Sequence, residues 1–403
     1  MVSRHIFDLL MGLGILGLIS STVFQGMVFV GAARFLRTRK KAPGPSGFCP
    51  PVSLLKPLHG DEPNLEAHLA TFFEQDYPHY EILFCARHAN DPGLAAARRV
   101  AARYPHIPAK FLSTGDRTYI NAKVSSLEKM AAAAGTDIFI ISDSDVRVDR
   151  NYVREVVAPF ACEDVGVVTC LYRGEASEGL WSKLEAAGMS IEMTSGVLTA
   201  NMMEGMKFAL GPTMAVRRRC VDEIGGFGRL GPYCSDDFLL GNWVAAHGHK
   251  VVLSGHVIDH VVLNLSFEAS IKHQVRWMKS TRFSRPKGHF GTALTFAVPF
   301  GLLCFLSATH LGIPHLGWLM LAWSIAARMA MAAAVGFWVV RERNLLRTTL
   351  LYPLRDLMGF FFWAASYTSS HVVWRGQVYK LAKDGLMLPA SDGAPEREPA
   401  VTT

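Results

Sequence analysis

Residues 137–145 read Asp-Ile-Phe-Ile-Ile-Ser-Asp-Ser-Asp and carry the main information about the fold. The apolar run 138–141 predicts a short buried strand, and Asp143 and Asp145 follow directly after it. Mg²⁺ and Mn²⁺ prefer oxygen ligands, so two carboxylates one residue apart at a strand end can hold such an ion and a diphosphate bound to it. A solvated turn or a helix N-cap is the alternative interpretation of the same residues.

Strands and helices alternate before this stretch. The pattern predicts strands at Val52–Leu55, Tyr80–Ala86 and Ala109–Leu112. It predicts helices at Asn64–Phe73, Ala95–Arg103 and Lys123–Ala134. Such alternation indicates an α/β domain with a mostly parallel sheet, which we place at residues 48–289. Ligands of these sheets bind beyond the carboxyl ends of the strands, so the residues after each strand are the candidates for function.

Three further places carry candidate polar side chains. Asp91 follows the second strand, and Asp236 and Asp237 lie in the loop 231–237. The motif His273-Gln274-Val275-Arg276-Trp277 precedes the C-terminal apolar block. Each has a structural alternative: the aspartate pair precedes an apolar helix and would suit its N-terminus, and Arg-Trp beside a membrane span is often an interfacial anchor.

The N-terminal segment predicts a membrane anchor at residues 1–41. Leu9–Ala33 contains no charged residue, and as a helix it would span roughly 37 Å, enough to cross a bilayer. Five basic residues follow between Arg34 and Lys41, and this bias places the next domain in the cytosol. The segment also contains Gly12-Leu13-Gly14-Ile15-Leu16-Gly17, which we attribute to close helix packing because no strand precedes it.

The block 290–374 predicts C-terminal transmembrane helices. Phe290–Val340 carries one charge, Arg328, and is interrupted at residues 312–314. A last uncharged stretch, Leu357–Trp374, would make four spans in all, unless one C-terminal segment is re-entrant. Arg328 is open to three interpretations, namely function, snorkelling or burial between helices. The Pro/Ala/Glu-rich residues 389–403 predict a disordered tail.

Composition narrows the functional classes. Half of the 403 residues are hydrophobic and the net charge is +7, with basic residues concentrated beside the apolar segments. This placement favours an anionic membrane surface, and no aromatic-interleaved basic surface indicates a nucleic-acid partner. The seven cysteines are odd in number and have no CxxC spacing, so we expect reduced thiols.

Taken together, these motifs resemble the ceramide glucosyltransferase family, including its bacterial hopanoid-associated branch. The resemblance covers roughly residues 10–380. It rests on Val52–Leu58, Thr71–Pro78, Asn90-Asp91-Pro92, Asp143, Ser235-Asp236-Asp237 and Arg276-Trp277. It implies an α/β fold of the nucleotide-diphospho-sugar transferase (GT-A) type. One position departs from the family pattern, since His273 stands where Gln or Arg is usual and Gln274 comes one place late.

The resemblance implies an inverting transfer in which an acceptor hydroxyl attacks the anomeric carbon. Asp237 would be the general base, with Asp236 beside it. Asp143 and Asp145 would hold Mg²⁺ or Mn²⁺ and the donor diphosphate.

The remaining candidates would contact the substrates. Arg276 would face the leaving diphosphate and Trp277 the sugar, while Asp91 would contact the uridine. Lys123 matches a family lysine near the donor, with a solvated helix position as its alternative. Asp236 and His273 are possible contacts of donor or acceptor.

For the whole protein, the resemblance implies transfer of N-acetylglucosamine from its UDP donor to a hopanoid such as bacteriohopanetetrol. A ceramide glucosyltransferase using UDP-glucose is the alternative. A processive polysaccharide synthase and a non-catalytic membrane scaffold are more distant ones. We expect a multi-pass protein of the bacterial inner membrane with its catalytic domain facing the cytosol.

Overall fold

The structure is a computed structural model that describes residues 2–41, 47–116, 118–263, 266–374 and 376–390. Its strands are β1 (Val52–Pro57), β2 (Tyr80–Ala86), β3 (Ala109–Ser113), β4 (Ile138–Ser142), β5 (Val146–Arg147), β6 (Val165–Ala176), β7 (Thr213–Arg217), β8 (Lys250–Val262), β9 (His371–Trp374), β10 (Gln377–Leu381) and β11 (Met387–Pro389).

The α-helices are α1 (Val2–Lys41), α2 (Leu65–Phe73), α3 (Pro92–Arg103), α4 (Ala122–Ala133), α5 (Tyr152–Val157), α6 (Leu180–Ala187), α7 (Thr194–Glu204), α8 (Arg218–Glu223), α9 (Asp236–Ala246), α10 (Phe267–Ser284), α11 (Pro286–Thr292), α12 (Val298–His310), α13 (Pro314–Ala334) and α14 (Leu345–Ala365). A π-helical segment, Gly188–Met193, joins α6 to α7, and another, Val335–Val340, ends α13.

The central sheet has the strand order β3-β2-β1-β4-β7-β6-β8-β5. Its first four strands are parallel, as the alternation of strands and helices predicted. Strand β7 is antiparallel to both neighbours, so the second half is mixed. β1, β2 and β4 are almost entirely buried, which explains their near-continuous apolar sequences.

The connection order reverses between β1 and β4. The chain runs outward from β1 to β2 and β3, then returns to place β4 on the other side of β1. The connecting segments therefore leave a crevice beyond the carboxyl ends of β1 and β4. Asp143 and Asp145 follow β4, so they lie at this crevice.

The described residues contain fewer candidate membrane spans than the four predicted. Among the described residues, two helices are long and apolar enough to cross a membrane, Arg4–Arg39 and Pro314–Val340. A third span results if Pro286–Thr295 and Val298–His310, which meet at a 49° bend, act as one.

The fourth span predicted at Leu357–Trp374 is wrong. Helix α14 ends at Ala365 and residues 371–374 form strand β9, so the helical part of the block 290–374 stops early. Before α14, Arg173 of β6 donates to the carbonyl oxygen of Arg341 at 2.7 Å. After α14, Arg282 of α10 donates to the carbonyl oxygen of Ser366 at 2.6 Å. Helix α14 therefore begins and ends on the side of the catalytic domain. The predicted tail falls mostly in residues 391–403, outside the described residues.

Arg328 is buried between helices, which decides among its three interpretations. Its Nη2 atom donates to the carbonyl oxygen of Ser21 at 3.2 Å, and Nη1 lies 3.7 Å from Asp356 Oδ1. Asp356 Oδ2 accepts from the backbone N–H groups of Ala297 and Val298 at 2.9 and 2.8 Å. One ion pair thus connects α13, α1, α14 and the start of α12.

Two of the three glycines of the N-terminal motif, Gly14 and Gly17, pack closely as predicted, whereas a Cβ atom on Gly12 would meet no described atom within 4 Å. A Cβ atom on Gly14 would lie 2.4 Å from Cys304 Sγ, and one on Gly17 would lie 2.2 Å from the ring of Phe300. Both positions require glycine because α12 approaches α1 there.

Candidate active site

The end of β4 is fixed by a lysine from the neighbouring strand. Lys56, at the end of β1, donates to the carbonyl oxygen of Asp143 at 2.5 Å and to Ser142 Oγ at 3.4 Å. The side chain is fully buried, and burial lowers the pKa of Lys56 to about 7 against the opposing effect of Asp143 and Asp145. This role was not predicted from the sequence, although a lysine directly after the apolar run 52–55 was a possible signal.

The carboxylate of Asp143 pairs with Lys123. Lys123 Nζ lies 2.6 Å from Asp143 Oδ1, 4.0 Å from Asp236 Oδ2 and 3.4 Å from the carbonyl oxygen of Gly211. Asn121 caps α4 by accepting from the Lys123 N–H at 3.1 Å, which fixes the start of the helix. Burial disfavours the Lys123 charge, but Asp143 and Asp236 outweigh it and raise the pKa of Lys123. The solvated helix alternative is therefore wrong.

Asp145 is held from the other side by His260 of β8. His260 Nε2 lies 3.0 Å from Asp145 Oδ2, and its charge lowers the pKa of Asp145 against the opposing effect of burial. Asp145 Oδ1 is buried and has no hydrogen-bond partner in the described part of the chain. Burial raises the pKa of Asp143. The two side chains remain 31% and 29% exposed, so an ion can reach them.

These two carboxylates fit a divalent cation. An unsatisfied buried carboxylate oxygen beside a second carboxylate offers the hard oxygen ligands that Mg²⁺ and Mn²⁺ prefer. His260 orients Asp145 in the way that outer hydrogen bonds orient metal ligands. Ser144, between the aspartates, donates to Glu62 Oε1 at 2.9 Å, and burial raises the pKa of Glu62 to about 7. Neither His260 nor Glu62 was among the candidates from the sequence.

Asp236 and Asp237 begin α9, but the N-cap itself is Ser235. Asp236 is buried and Oδ1 accepts from Asn121 Nδ2 at 3.0 Å. Asp237 is partly exposed, and its Oδ1 accepts from the Phe238 N–H at 2.8 Å. Burial and the neighbouring Asp236 carboxylate raise the pKa of Asp237 to about 6. Asp236 is thus an anchored residue, and Asp237 is the accessible one.

Asp91 is the N-cap of α3. Its Oδ1 accepts from the Gly93 N–H at 2.8 Å and from the Gly60 N–H at 3.1 Å, so it ties the loop after β1 to the helix. The carboxylate has about four lone-pair sites, so these bonds leave capacity for a ligand N–H. Among the described residues, Asp91 makes no contact with Lys123, Asp143 or Asp236.

His273 anchors α10 to α6. Its Nδ1 lies 2.7 Å from Glu185 Oε1, and Ser270 Oγ donates to Glu185 Oε2 at 2.7 Å. Gln274 is buried and donates to Ser270 Oγ at 2.9 Å. The Glu185 side chain is 1% exposed. This contact was not predicted, although Glu185 is the one acidic residue of α6 and could have signalled it.

Arg276 and Trp277 lie on the same helix but face different neighbours. The guanidinium of Arg276 stacks on the ring of Trp374 at 4.9 Å, and burial lowers the pKa of Arg276. No contact joins Arg276 to Asp143 or Asp145 among the described residues. Trp277 packs against the main core and lies 4.4 Å from the His273 ring, which argues against an interfacial anchor.

The candidate site lies within a region of this chain that is similar to known proteins. The model of glycosyl transferase family 21 matches residues 17–387. Ceramide glucosyltransferase 3 of Caenorhabditis elegans is 24% identical over 350 residues, which cover 84% of this chain and 74% of that protein. A ceramide glucosyltransferase of Komagataella phaffii is 39% identical over 101 residues, 24% of this chain and 20% of that protein.

One solved structure is that of a mannosyltransferase from Pyrobaculum calidifontis in complex with GDP-Man and Mn²⁺. It aligns with a TM-score of 0.45 and 18% identity over 87% of this chain and 99% of its own. The family match runs from α1 to the C-terminal strands and includes every candidate residue named above. It confirms the predicted resemblance to ceramide glucosyltransferases, the fold class and the assignment as a sugar-transferring enzyme. The chain belongs to glycosyl transferase family 21.

Proposed function

We propose that the protein transfers one sugar from a UDP-sugar to a hydroxyl group of a membrane lipid, with inversion at the anomeric carbon. The observation that carries the proposal is the cluster of Asp143, Asp145 and Lys123 beside Asp237, in the crevice between β1 and β4. A carboxylate pair with a free oxygen, a buried ammonium group and a separate accessible carboxylate are the groups that this reaction needs.

The donor diphosphate would lie at Asp143 and Asp145. Mg²⁺ or Mn²⁺ held there would neutralise the charge that develops on the leaving diphosphate. Lys123 is 19% exposed and keeps its proton, so it adds a fixed positive charge. It also connects Asp143 to the start of α9, where Asp236 lies within 4.0 Å.

Asp237 would accept the proton of the attacking hydroxyl. A pKa of about 6 leaves the Asp237 carboxylate ionised at neutral pH. It also makes this carboxylate a stronger base than an ordinary aspartate, which favours transfer of the hydroxyl proton to it. Asp236 is unsuited to this role because it is buried and bonded to Asn121. We infer that Asp236 supports the neighbouring base through its charge.

Arg276 and Trp277 would act near the leaving group and the sugar, and Asp91 near the uridine. Arg276 stacks on Trp374, so its guanidinium would have to leave this ring to contact a phosphate at Asp143 and Asp145. His273 would shape the acceptor side, since its ring lies against Trp277 and its Nδ1 is bonded to Glu185.

A lipid acceptor is supported by the anchoring of the catalytic domain. Two candidate spans flank the site, and helix α7 packs against α1. Helix α7 belongs to the Met-rich stretch Leu180–Met206, in which Met203 is 69% exposed. Flexible methionine side chains suit an apolar tail of variable shape. Two or three spans favour adding a single sugar, since threading a polymer would require more. We place the site on the cytosolic face of a bacterial inner membrane.

The acceptor and sugar have two candidate identities. Glucose as the sugar and ceramide as the acceptor are supported by the relatives, which are named ceramide glucosyltransferases. UDP-glucose would then be the donor. UDP-N-acetylglucosamine and bacteriohopanetetrol are the pair implied by the resemblance to the hopanoid-associated branch.

The test uses the purified full chain in detergent with both UDP-sugars, each offered with ceramide and with bacteriohopanetetrol. Mass spectrometry identifies the product, and Asp237→Asn serves as the inactive control. A glucosylated ceramide supports the first pair, and a hexosaminyl hopanoid supports the second. Absence of any glycolipid, with hydrolysis of neither donor, would reject the proposed function.

A further inference from the structure

The C-terminal sheet β9–β11 is part of the catalytic domain although the membrane helices separate the two in sequence. The Cys234 N–H donates to the carbonyl oxygen of Gly385 at 3.0 Å, and the Met387 N–H donates to that of Pro232 at 2.9 Å. Lys279 of α10 donates to the carbonyl oxygen of His371 at 2.8 Å. The sheet is therefore fixed to the loop that leads directly into Asp236 and Asp237.

An open cavity of about 360 Å³ lies between this sheet and the segments that follow β2 and precede α4. Its lining residues are Arg87, Thr118, Tyr119, Ile120, Gln377 and Tyr379. A second, smaller cavity shares Arg87 and reaches Lys123. Since Lys123 contacts Asp143, the path from the proposed diphosphate site to strand β10 runs past Lys123 and Arg87. The smaller cavity, of about 10 Å³, has room for only about one water molecule.

This path runs in the direction that a bound nucleoside diphosphate would take. The diphosphate site follows β4, and Arg87 follows β2, two strands away in the sheet. Adjacent strands are about 4.8 Å apart, so the distance along the sheet edge is about 10 Å. The cavity lies within the size range of small-ligand sites. A nucleoside extending from the diphosphate along this edge would therefore come to Arg87, which lines the same cavity as Gln377 and Tyr379.

The lining suits a planar base with polar edges. Arg87 Nε is buried and has no hydrogen-bond partner among the described residues, so a donor group is available there. Gln377 carries an amide that can donate and accept, and Tyr379 donates to Gln377 Oε1 at 2.5 Å, which orients that amide. Residues 377 and 379 alternate with Val378 and Lys380, so they share the face turned toward the cavity.

We propose that strand β10 forms the outer wall of the nucleoside subsite, with Gln377 and Tyr379 facing the base and Arg87 at its floor. This inference rests on the proposed function. It means that the donor site is complete only when the segment after the membrane helices has docked. Arg276 supports the same wall, because it stacks on Trp374, which pairs with Gln377 in the sheet.

The test is protection from thiol labelling by UDP. Gln377→Cys places a thiol on the cavity face, and Lys380→Cys places one on the opposite, exposed face of the same strand. Each full-length variant in detergent is treated with a water-soluble maleimide, with and without UDP and Mg²⁺. Mass spectrometry of the peptide containing the new cysteine excludes background from Cys162 and the other thiols. We expect UDP to slow labelling at least fivefold at position 377 and to leave position 380 unchanged.

A parallel calorimetric titration of the unsubstituted chain with UDP separates the two possible failures. UDP binding without protection of position 377 overturns the wall but leaves the proposed function intact. No UDP binding at millimolar concentration overturns both. As a second measurement, Gln377→Ala should raise the donor KM at least fivefold without changing the acceptor KM or the Tm. An unchanged donor KM contradicts the inference. Val373→Ala, at an exposed position on the outer face of the same sheet, is the control and should leave the donor KM unchanged.

Discussion

Lys123 Nζ lies 2.6 Å from Asp143 Oδ1, so the first turn of α4 is joined to the turn that follows β4. The two residues are twenty positions apart and belong to neighbouring parts of the crevice. This contact fixes a positive charge where a diphosphate would bind, and it aligns α4 with the start of α9 through Asp236.

Lys123→Met should weaken UDP binding about 10–100-fold, since a hydrogen bond to a charged group contributes roughly 1.5–3 kcal/mol. Isothermal titration with UDP and Mg²⁺ measures the effect. Lys129→Met, at an exposed position of the same helix, should bind UDP normally. Equal affinity of the two variants would show that Lys123 has no role in donor binding.

Activity should decrease as the pH falls through about 6. Burial and Asp236 raise the pKa of Asp237 to about 6, and a base acts only when it is ionised, so the active form is lost below that pH. The pH profile of kcat/KM for the donor checks this expectation. Asp237→Asn should lose on the order of 10²–10⁴-fold in rate and keep UDP binding. Near-normal turnover of this variant, together with an inactive Asp236→Asn, would move the base by one residue.

A strong chelator should abolish transfer, and Mg²⁺ or Mn²⁺ should restore it. Asp143→Ala and Asp145→Ala should each remove the stimulation of UDP binding by Mg²⁺, because each deletes a carboxylate ligand. Asp137→Ala, at the opposite end of β4 and 96% exposed, is the matched control. Full activity in the chelator would refute the metal site.

The two ends of the described chain should lie on opposite sides of the membrane. Helix α1 is long and apolar enough to cross once, and β9–β11 is docked on the catalytic domain. In intact cells, an impermeant thiol reagent should label His5→Cys and should not label Lys383→Cys, both exposed positions. Cys162, which is exposed on the catalytic domain, should remain unlabelled, as the thiol of Lys383→Cys does. Labelling of both introduced cysteines would contradict this topology.

Substitutions of Arg328 and Asp356 should have non-additive effects on the free energy of unfolding, because the two side chains form a buried ion pair. Arg328→Met leaves a buried carboxylate without its partner and should cost about 3–5 kcal/mol. Adding Asp356→Asn should recover part of this loss, since the amide oxygen still accepts from Ala297 and Val298. Thermal unfolding in detergent measures both, with Arg4→Met as a control at an exposed position of α1. Additive losses would show that the pair is not coupled.

The sequence by itself determined the first four strands of the sheet, the helices between them and the main carboxylates. The run Ile138–Ile141 is apolar over the length of a buried strand, and the strands before it alternate with helices, so the parallel half of the sheet was predictable. The glycines at positions 14 and 17 were correctly attributed to helix packing. These features are local, because periodicity and composition over about ten residues reflect one element and its immediate environment.

The tertiary structure decided which side chains meet. Lys56 reaches Asp143, His260 reaches Asp145 and Glu185 reaches His273 over sequence separations of 87, 115 and 88 positions. Such contacts depend on the order of strands in the sheet, which local patterns do not specify. Helix α14 shows the same limit, since its apolar run was predicted to cross a membrane but ends beside α10. Hydropathy measures how apolar a segment is, and a segment buried against protein can be as apolar as one buried in lipid.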